Sequence, residues 1–272
     1  MKYKLLATDM DGTALTKDKR LSPRTVAAMQ KATDQGKFIV FTTGRSISLI
    51  KPYMDAVKGM RYAITASGGT VIDTQTGNYL VHRKIDIETV KRIIAAASGS
   101  YAYPILFYDN ATFGSSWCVD RLEDFGLPAY APIYRSFMNL VDDSMSYFME
   151  HPAELEKFNL FFGNDYEADE VYERIKELPV RFTSRTKTSL EINAPGVSKA
   201  EGLRVLCSHL GIDISETIAV GDAENDEELL TAAGLNVAVA NGTEKVRALA
   251  DIITDDNEND GVAKIIEQYL LD

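Results

Sequence analysis

The sequence predicts an α/β protein: a doubly wound, Rossmann-like parallel sheet as the core, with an α+β module inserted in the middle of the chain. Three observations predict this fold. Short apolar segments alternate with amphipathic segments at both ends of the chain, several apolar segments end in small polar residues, and the middle of the chain concentrates aromatic residues in a different pattern. Strands that alternate with helices favour parallel pairing through right-handed crossovers.

The first part of the chain alternates strand and helix in order. The apolar run at 4–8 predicts the first strand. A helix follows, for which Ser22 suits the N-cap, Pro23 the first position and Gly36 the stop. KFIVFTTGR predicts a second strand, SISLIKPYMDAV a helix disturbed at Pro52, and YAITAS a third strand. GTVIDTQTGNYLVHR predicts a hairpin with its turn at TGN.

The middle of the chain predicts a separate domain. Residues 83–188 mix strand-like pieces such as PILFYDN and KFNLFFGN with helical pieces such as DIETVKRIIAAAS. After them, SLEINAPGVSKAEGL and TIAVGDAENDEELL resume the alternation of strand and helix. We therefore predict a core domain formed by residues 1–82 and 189–272, and an inserted α/β cap domain formed by residues 83–188.

Composition limits the class of protein. The 272 residues are 45% hydrophobic and 25% charged with a formal charge of −11, and this acidic balance argues against a nucleic-acid partner. Cys118 and Cys207 lie far apart without metal-ligand spacing and are read as reduced thiols. No apolar run reaches the ~20 residues of a membrane helix, and Asp9 interrupts any signal-peptide core. We expect a cytoplasmic protein, and the sequence does not define its oligomeric state.

Two carboxylates directly follow the first strand, in the segment KLLATDMDGT. Asp9 and Asp11 can both reach the crevice at the end of that strand, because Gly12 allows the backbone to turn tightly. Ionised carboxylates in a poorly solvated crevice repel one another unless a cation lies between them. Oxygen ligands of this kind suit Mg²⁺. The alternative is a solvated Asp-Gly turn without a metal.

A second strand ends in the same way. The apolar run at 218–220 leads to Asp222, and Asn225 and Asp226 follow. Acidic residues near a helix N-terminus are favoured by the helix dipole, which accounts for Asp226 without any function. It does not account for Asp222, which stands at its strand end as Asp9 does. The two strand ends therefore predict a shared metal site.

Two further motifs offer groups that bind phosphate. Thr43 and Gly44, in TTGR, supply a hydroxyl and backbone N–H groups that can hold a phosphate oxygen, and an ordinary helix cap is the alternative. Lys199 falls in the first helical turn after Ser198, where a cation opposes the helix dipole. A residue that departs from a local preference is a candidate functional residue, and a solvated surface lysine is the alternative.

With these motifs in hand, the sequence resembles the haloacid dehalogenase-like (HAD) hydrolases, most closely their Cof-type phosphatase branch. The matching segments are DMDGT, TTGR, GVSKAEGL and GDAEND, in the order of that family. The resemblance covers nearly the whole predicted core. The inserted module falls between the second and third motifs, where this branch carries a large cap domain.

The resemblance implies a Mg²⁺-dependent phosphatase that hydrolyses small phosphorylated metabolites, either sugar phosphates or phosphorylated cofactors, through an aspartyl-phosphate. It implies Asp9 as the nucleophile and Asp11 as the general acid and base. The implied Mg²⁺ site comprises the Asp9 carboxylate, the Asp11 backbone carbonyl and Asp222, with Asp226 in support. The residues implied to bind or position the phosphoryl group are Thr43, Gly44, Lys199, Asn225 and, as a lesser candidate, Asn241.

One residue departs from the pattern of this branch, and two other functions stay open. Ser67 stands where the branch usually has asparagine, so a substrate contact through that asparagine is not expected. The first alternative is a phosphotransferase or mutase of the phosphomannomutase type. The second is a non-catalytic regulatory protein whose aspartate only accepts phosphate. The presence of Asp11 and Lys199 argues against the second alternative.

Overall fold

The computed structural model describes residues 2–271, which divide into two compact units. The first unit comprises the chain up to Arg45, Ile50–Val81 and the chain from Ser198 onward. The second unit comprises Ser46–Leu49 and His82–Val197. In chain order the strands are β1 (Leu5–Thr8), β2 (Phe38–Thr42), β3 (Tyr62–Thr65), β4 (Thr70–Asp73), β5 (Asn78–His82), β6 (Ala102–Tyr108), β7 (Ala111–Ser115), β8 (Asn139–Val141), β9 (Lys157–Phe162), β10 (Arg181–Arg185), β11 (Ser189–Asn193), β12 (Thr217–Gly221), β13 (Leu235–Val239) and β14 (Ile252–Thr254). The helices are α1 (Pro23–Asp34), α2 (Ile47–Asp55), α3 (Ile87–Ala97), α4 (Ser116–Val119), α5 (Ala131–Phe137), α6 (Ser144–Glu150), α7 (Asp165–Ile175), α8 (Lys199–Leu210), α9 (Glu227–Ala232), α10 (Glu244–Leu249) and α11 (Gly261–Ile265).

The first unit is built on an eight-stranded sheet with the order β14-β13-β12-β1-β2-β3-β4-β5. The strands from β14 to β3 are all parallel, and β4 is antiparallel to β3. The chain moves outward from β1 in one direction through β2 and β3, and later in the other direction through β12, β13 and β14. This is the predicted doubly wound sheet, with β1 at the point where the strand order reverses and where such sheets bind ligands.

Local sequence signals define the helices that lead to and from this sheet. The Ser22 side chain accepts a hydrogen bond from the Thr25 N–H at the start of α1, and Pro23 is its first residue. The Ser198 side chain accepts from the Glu201 N–H at the start of α8, which begins at Lys199. Both helix starts are therefore confirmed, and each is fixed by one capping hydroxyl.

The second unit is built on a six-stranded sheet with the order β10-β11-β9-β6-β7-β8. All of its pairs are antiparallel except β7 with β8. One face packs on α3 and α7, where Val90, Ile93 and Val171 join buried residues of the sheet. On the opposite face, Tyr103 and Phe107 belong to a second apolar cluster. The predicted α+β character of the middle of the chain is confirmed.

The two units differ from the predicted domains in three places, two of which are Ser46–Leu49 and His82, predicted in the core but grouped with the second unit. The third is a longer segment. The predicted insertion ends at residue 188, whereas residues 189–197 group with the second unit. The strand Ser189–Asn193 pairs with Lys157–Phe162 on one side and Arg181–Arg185 on the other. SLEIN alternates apolar and polar residues as any half-buried strand does, so its pattern does not indicate which sheet it joins.

Two observations bear on the expectations drawn from composition. Cys118 and Cys207 are both free thiols, and both are buried. Within residues 2–271, the helices are too short or too polar for any of them to cross a membrane.

Candidate active site

The carboxyl ends of β1, β2 and β12 bring the predicted site residues of the first unit together. β1 pairs in parallel with β2 on one side and with β12 on the other, so Asp9, Thr43 and Asp222 lie at or just beyond the ends of three adjacent strands. The Asp9 N–H donates to the Val220 carbonyl at 2.9 Å, which extends the ladder by one residue. The topology of a parallel sheet therefore accounts for the convergence of segments more than 200 positions apart in the chain.

Lys199 links two of the predicted carboxylates. Its Nζ donates to Asp9 Oδ1 and to Asp226 Oδ1, each at 2.7 Å. All three side chains are buried. Burial alone would lower the pKa of Lys199, but Asp226 and Asp9 outweigh it and raise this pKa above its usual value. The ammonium is therefore charged, and the alternative of a solvated surface lysine is wrong.

Asp9, Asp222 and Asp226 form a cluster of carboxylates, called here the core acid cluster. One oxygen of each residue lies within 4.8 Å of an oxygen of the others. Burial raises the pKa of Asp9 well above its usual value and that of Asp222 to about 6; Asp226 adds to both shifts, and Lys199 opposes them. The Thr13 hydroxyl donates to Asp222 Oδ1 at 2.5 Å. This cluster could bind a metal ion.

Asp226 also holds the turn that carries Asp222. Its Oδ2 accepts hydrogen bonds from the N–H groups of Asp222 at 3.0 Å and Ala223 at 3.2 Å. A position at the start of α9 is therefore not the full explanation of Asp226. The same carboxylate receives backbone donors on one oxygen and Lys199 on the other.

The Asp11 side chain lies outside the core acid cluster and is paired with two cations. Arg45 donates from Nε to Asp11 Oδ2 and from Nη2 to Oδ1, and Lys19 Nζ donates to Oδ1, all at 2.7 Å. Burial would raise the pKa of Asp11, but Arg45 and Lys19 hold it well below its usual range. The chain itself therefore supplies the positive charge beside Asp11. Its side chain is therefore engaged by the protein.

Arg45, Lys19 and Tyr53 are site residues to which the sequence analysis assigned no role. Lys19 adopts a left-handed backbone conformation with φ +57°, unusual for a residue other than glycine. The Tyr53 hydroxyl donates to the Lys19 carbonyl at 2.7 Å, and the Arg45 guanidinium carbon lies 5.5 Å from the centroid of the Tyr53 ring. Arg45 stands in the TTGR motif and could have been suspected, whereas Lys19 and Tyr53 carry no signal in the sequence.

The Thr43–Gly44 loop is held partly by its own hydroxyl. Thr43 is buried, its Oγ1 accepts from the Arg45 N–H at 3.2 Å, and its N–H donates to the Ile64 carbonyl at 2.9 Å. This bond holds the loop itself and does not cap a helix, since α2 begins four residues later at Ile47. It does not exclude a phosphate contact, because a hydroxyl oxygen that accepts one bond can still donate its own hydrogen.

A strained loop after β3 connects this segment to α8. Ala66 and Ser67 have φ of +48° and +59°, and the Ser67 N–H donates to the Thr43 carbonyl at 2.9 Å. Gly68 packs so closely on the start of α8 that a Cβ atom there would lie 2.0 Å from the Ser198 carbonyl oxygen. Ser67, which replaces the usual asparagine, thus contributes through its backbone to the position of Thr43.

Asn225 and Asn241 have different surroundings. Asn241 donates from Nδ2 to the Gly12 carbonyl at 2.7 Å and accepts from the Asn257 N–H at 3.0 Å, so its amide supports the loop that carries Asp9. Asn225 Oδ1 is buried, and within residues 2–271 no donor reaches it.

The Asp-Gly turn after β1 is packed in the site. A Cβ on Gly12 would lie 2.5 Å from Asp222 Oδ2, so this turn is not a solvated turn.

A second group of ligand-type side chains, the cap ion pairs, lies in the second unit and comprises His82, Asp109, Glu156 and Lys84. His82 Nε2 lies 2.7 Å from Glu156 Oε1, and Lys84 Nζ donates to Asp109 Oδ1 at 2.6 Å. The Asn110 N–H also donates to Glu156. Each carboxylate here has a side-chain partner of its own, so we infer no metal site from this group.

Comparison with known proteins places this geometry in a family. Residues 6–266 match the model of the haloacid dehalogenase-like hydrolases. The chain is 29% identical to the 5-amino-6-(5-phospho-D-ribitylamino)uracil phosphatase YcsE of Bacillus subtilis, over 98% of this chain and 96% of that protein. It is 26% identical to a phosphoglycolate phosphatase of Methanoculleus marisnigri, over 98% of this chain and 96% of that protein.

A solved structure agrees with the fold. A haloacid dehalogenase-like hydrolase from Bacteroides thetaiotaomicron superimposes with a TM-score of 0.85 at 23% identity, covering 98% of this chain and 99% of that chain. Together with the curated relatives, these findings confirm the expected enzyme class, a phosphoric monoester hydrolase. The chain belongs to the haloacid dehalogenase-like hydrolases, as the resemblance of its motifs indicated.

Proposed function

We propose that the protein is a Mg²⁺-dependent phosphatase that hydrolyses small phosphorylated metabolites through an aspartyl-phosphate on Asp9. The observation that carries this proposal is the core acid cluster at the end of β1, in which three carboxylates lie within 4.8 Å of one another and Lys199 donates to two of them, Asp9 and Asp226. The names of the relatives support the substrate class, since one acts on a phosphorylated ribitylaminouracil and another on phosphoglycolate.

The donor set of the core acid cluster fits magnesium. Carboxylate oxygens of Asp9 and Asp222 are ligands of the kind that Mg²⁺ takes in proteins, with water and substrate oxygens completing its coordination. The raised pKa values of both residues reflect the cost of ionising them in a buried cluster, which a divalent cation would remove. Bound there with the Asp11 backbone carbonyl as a further ligand, Mg²⁺ would offset the repulsion between the Asp9 carboxylate and an anionic phosphate.

Asp9 acts as the nucleophile in this proposal. One of its oxygens accepts the Lys199 hydrogen bond. The other forms the new bond to phosphorus, while the bond from phosphorus to the leaving oxygen breaks. Water then attacks the aspartyl-phosphate, releases inorganic phosphate and restores the carboxylate. Two displacements replace one difficult hydrolysis, as in other covalent mechanisms.

Asp11 transfers protons in both steps of this proposal. Arg45 and Lys19 hydrogen-bond both of its oxygens and thereby favour the ionised form, which is the form that removes a proton from the attacking water. For the first step, one oxygen has to exchange its bond to Lys19 or Arg45 for the proton that the leaving group takes. General acid–base catalysis of this kind contributes about 10²–10⁴-fold in rate.

The remaining site residues bind or position the phosphoryl group. Lys199 supplies positive charge next to the nucleophile, and the Thr43 hydroxyl and Gly44 backbone offer donors for phosphate oxygens. Asn225 carries an amide next to the metal-binding turn, with an oxygen that no donor within residues 2–271 reaches. Asn241 acts through the Gly12 carbonyl, so we assign it a positioning role in place of a direct contact.

The product of the reaction distinguishes hydrolysis from phosphoryl transfer, so one experiment tests the proposal. Phosphate release from a panel of phosphorylated metabolites is measured with Mg²⁺, with EDTA, and in Asp9→Asn. We expect the wild-type protein to release phosphate only when Mg²⁺ is present and EDTA is absent. We expect Asp9→Asn to release none. Undiminished turnover in EDTA or in Asp9→Asn contradicts the mechanism. Transfer of the phosphoryl group to an added hexose without release of phosphate indicates the mutase alternative.

A further inference from the structure

A cavity of about 470 Å³, called here the α3–α6 cavity, lies within the second unit. It is lined by Ala102 and Pro104 of β6, by the last turn of α3 with the loop after it, and by α6. Side chains two apart on a strand share a face, so the cavity lies on the face that packs against α3, opposite that of Tyr103. Its volume is in the range of small-molecule sites, about 300–1,000 Å³.

Hydrogen bonds hold both sides of the α3–α6 cavity. Ser144, the first residue of α6, is buried; its N–H donates to Ser115 Oγ at 2.9 Å, and its hydroxyl donates to the Pro104 carbonyl at 3.0 Å. On the α3 side, the Ser100 hydroxyl donates to the Ala97 carbonyl at 2.6 Å. The space is therefore formed by the chain itself. A preformed site loses less conformational entropy on binding than one that has to be ordered.

The charges that line the α3–α6 cavity are negative. Asp143 and Glu150 stand at the two ends of α6, and within residues 2–271 no Lys, Arg or His lines the cavity. Neither carboxylate forms an ion pair in the part of the chain that the structure describes. Asp143 Oδ1 accepts from the Ser146 N–H at 2.8 Å, and its full charge exceeds the partial positive charge of that helix end. The C-terminus of α3 adds partial negative charge.

An aromatic ring and two thioethers also line the α3–α6 cavity. Trp117 is 37% exposed, and the ring centroids of Tyr101 and Phe125 lie 5.9 Å and 6.3 Å from that of Trp117. Met145 and Met149 line the cavity from α6. The face of a tryptophan ring attracts cations more strongly than that of tyrosine or phenylalanine. Methionine side chains adapt to the apolar part of a ligand.

Charge and polarity together define the class of ligand. A carboxylate or phosphate would be repelled by Asp143 and Glu150, and no cation among the described lining residues would bind it. An uncharged apolar molecule would remove water from both carboxylates without compensating their charge. An organic cation fits on both counts, because its charge attracts the carboxylates while its carbon atoms pack on Trp117 and the methionines.

We propose that the α3–α6 cavity binds a small organic cation, an ammonium group on an apolar body. The size of the cavity and its preformed walls fit a free small molecule. The inference is independent of the proposed function, because every residue that carries it belongs to the second unit and none takes part in the proposed hydrolysis.

The fluorescence of Trp117 provides the first test, because the sequence contains one tryptophan and it lines the cavity. Choline and pentylamine are titrated into the full chain. Each is compared with an uncharged compound of nearly the same shape, 3,3-dimethylbutan-1-ol for choline and pentan-1-ol for pentylamine. Calorimetry gives the dissociation constants. We expect at least one cation to change the emission of Trp117 and to bind at least about tenfold more tightly than its uncharged counterpart.

Removal of the two lining charges provides the second test. A double variant carries Asp143→Asn, which keeps a residue that caps helices, and Glu150→Gln. We expect the ratio of the affinities for the cation and its uncharged counterpart to fall at least about fivefold in this variant. Asp142→Asn is the matched control, because Asp142 is exposed in the same segment and does not line the cavity. A purely structural effect would weaken both compounds alike and leave the ratio unchanged.

Trp117→Leu tests the aromatic contribution by calorimetry, with Tyr166→Leu as the control, since Tyr166 is exposed and does not line the cavity. We expect Trp117→Leu alone to lower the preference for the cation. Three results overturn the proposal: no binding of either cation to the wild-type protein at about 10 mM, equal affinity for a cation and its uncharged counterpart, or an unchanged preference in the double variant. If the cation binds as expected but no phosphate ester is hydrolysed, the proposed function fails and this site stands.

Discussion

The core acid cluster and the cap ion pairs contain similar residue types but differ in the number of partners that their carboxylates have. In the cap ion pairs, Lys84 donates to Asp109 and His82 lies within hydrogen-bond distance of Glu156, so each carboxylate has its own partner. In the core acid cluster, three carboxylates lie close together, and the one ammonium beside them, that of Lys199, donates to only two of them.

This difference teaches that the charge of a carboxylate cluster is compensated according to the ratio of carboxylates to partners, and not according to the number of carboxylates alone. Burial raises the pKa of Asp9 and Asp222, which shows that the protein alone does not fully compensate their charge. Asp11 demonstrates the opposite case within the same unit, because two cations keep its pKa low. We therefore expect the core acid cluster to respond to magnesium, substrate and pH, and the cap ion pairs to affect stability alone.

The largest expected contrast is in activity. Asp9→Asn removes the nucleophile and should lower kcat at least about 10³-fold, because no other group forms the covalent intermediate. Asp109→Asn in the cap ion pairs should leave kcat within about twofold, since Asp109 is 77% exposed and exposed pairs contribute little. Steady-state phosphate release checks both variants, and more than a tenth of the wild-type rate in Asp9→Asn contradicts the contrast.

The next contrast concerns the two lysines. Lys199→Met leaves Asp9 and Asp226 buried without their cation, so it should lower the free energy of unfolding in EDTA by about 3–5 kcal/mol. Lys84→Met should lower it by less than about 1 kcal/mol, because Asp109 remains solvated. Urea unfolding provides the measurement, and Lys199→Arg, which keeps the charge, serves as the control. Equal losses in the two methionine variants would remove the distinction between the clusters.

The pH dependence of stability should reveal the core acid cluster when metal is absent. Because burial raises the folded-state pKa of Asp222 from 3.8 to about 6, the folded protein binds more protons than the unfolded chain in this window. The raised pKa of Asp9 acts in the same direction. Stability in EDTA should thus fall as pH rises from about 4 to 6, with Asp222 contributing up to about 3 kcal/mol.

Thermal unfolding of the wild-type protein and Asp222→Asn across this pH range tests the sign. The wild-type protein should lose stability relative to the variant as pH rises, and Mg²⁺ should restore it more at pH 7.5 than at pH 4.5. A wild-type protein that gains stability relative to Asp222→Asn through this window would show that Asp222 is already compensated.

The smallest contrast is a structural one. Glu156→Gln removes the charge that His82 and the Asn110 N–H contact, and should lower the free energy of unfolding by about 1–2 kcal/mol. It should leave kcat and the response to Mg²⁺ unchanged. Chemical unfolding and kinetics on the same preparation check this prediction, and a changed requirement for Mg²⁺ would assign the cap ion pairs a role that their geometry does not support.

Topology explains why much of the core site could be predicted. A parallel sheet brings the ends of its strands to one edge, so the strand-end positions of Asp9, Thr43 and Asp222 were sufficient to predict their convergence. Lys199 could be singled out because a cation in the first turn of a helix opposes the dipole. Its hydrogen bonds to Asp9 and Asp226 give the physical reason for that departure.

The surroundings of Asp11 could not be predicted for an equally physical reason. Its pairing with Lys19 depends on a left-handed backbone conformation and on a hydroxyl from Tyr53, which lies 34 positions further along the chain. Neither feature follows from hydrophobic periodicity. The strand Ser189–Asn193 was likewise ambiguous, because an alternating pattern specifies which side chains are buried but not the sheet that buries them.

The central claim is that the core acid cluster binds one divalent cation. Calorimetric titration of Mg²⁺ into the wild-type protein, Asp222→Asn and Glu156→Gln tests it most directly. The account predicts uptake of about one Mg²⁺ per chain by the wild-type protein and by Glu156→Gln, and none by Asp222→Asn at the same concentrations. Equal uptake by the wild-type protein and Asp222→Asn, or no uptake by the wild-type protein, would contradict it.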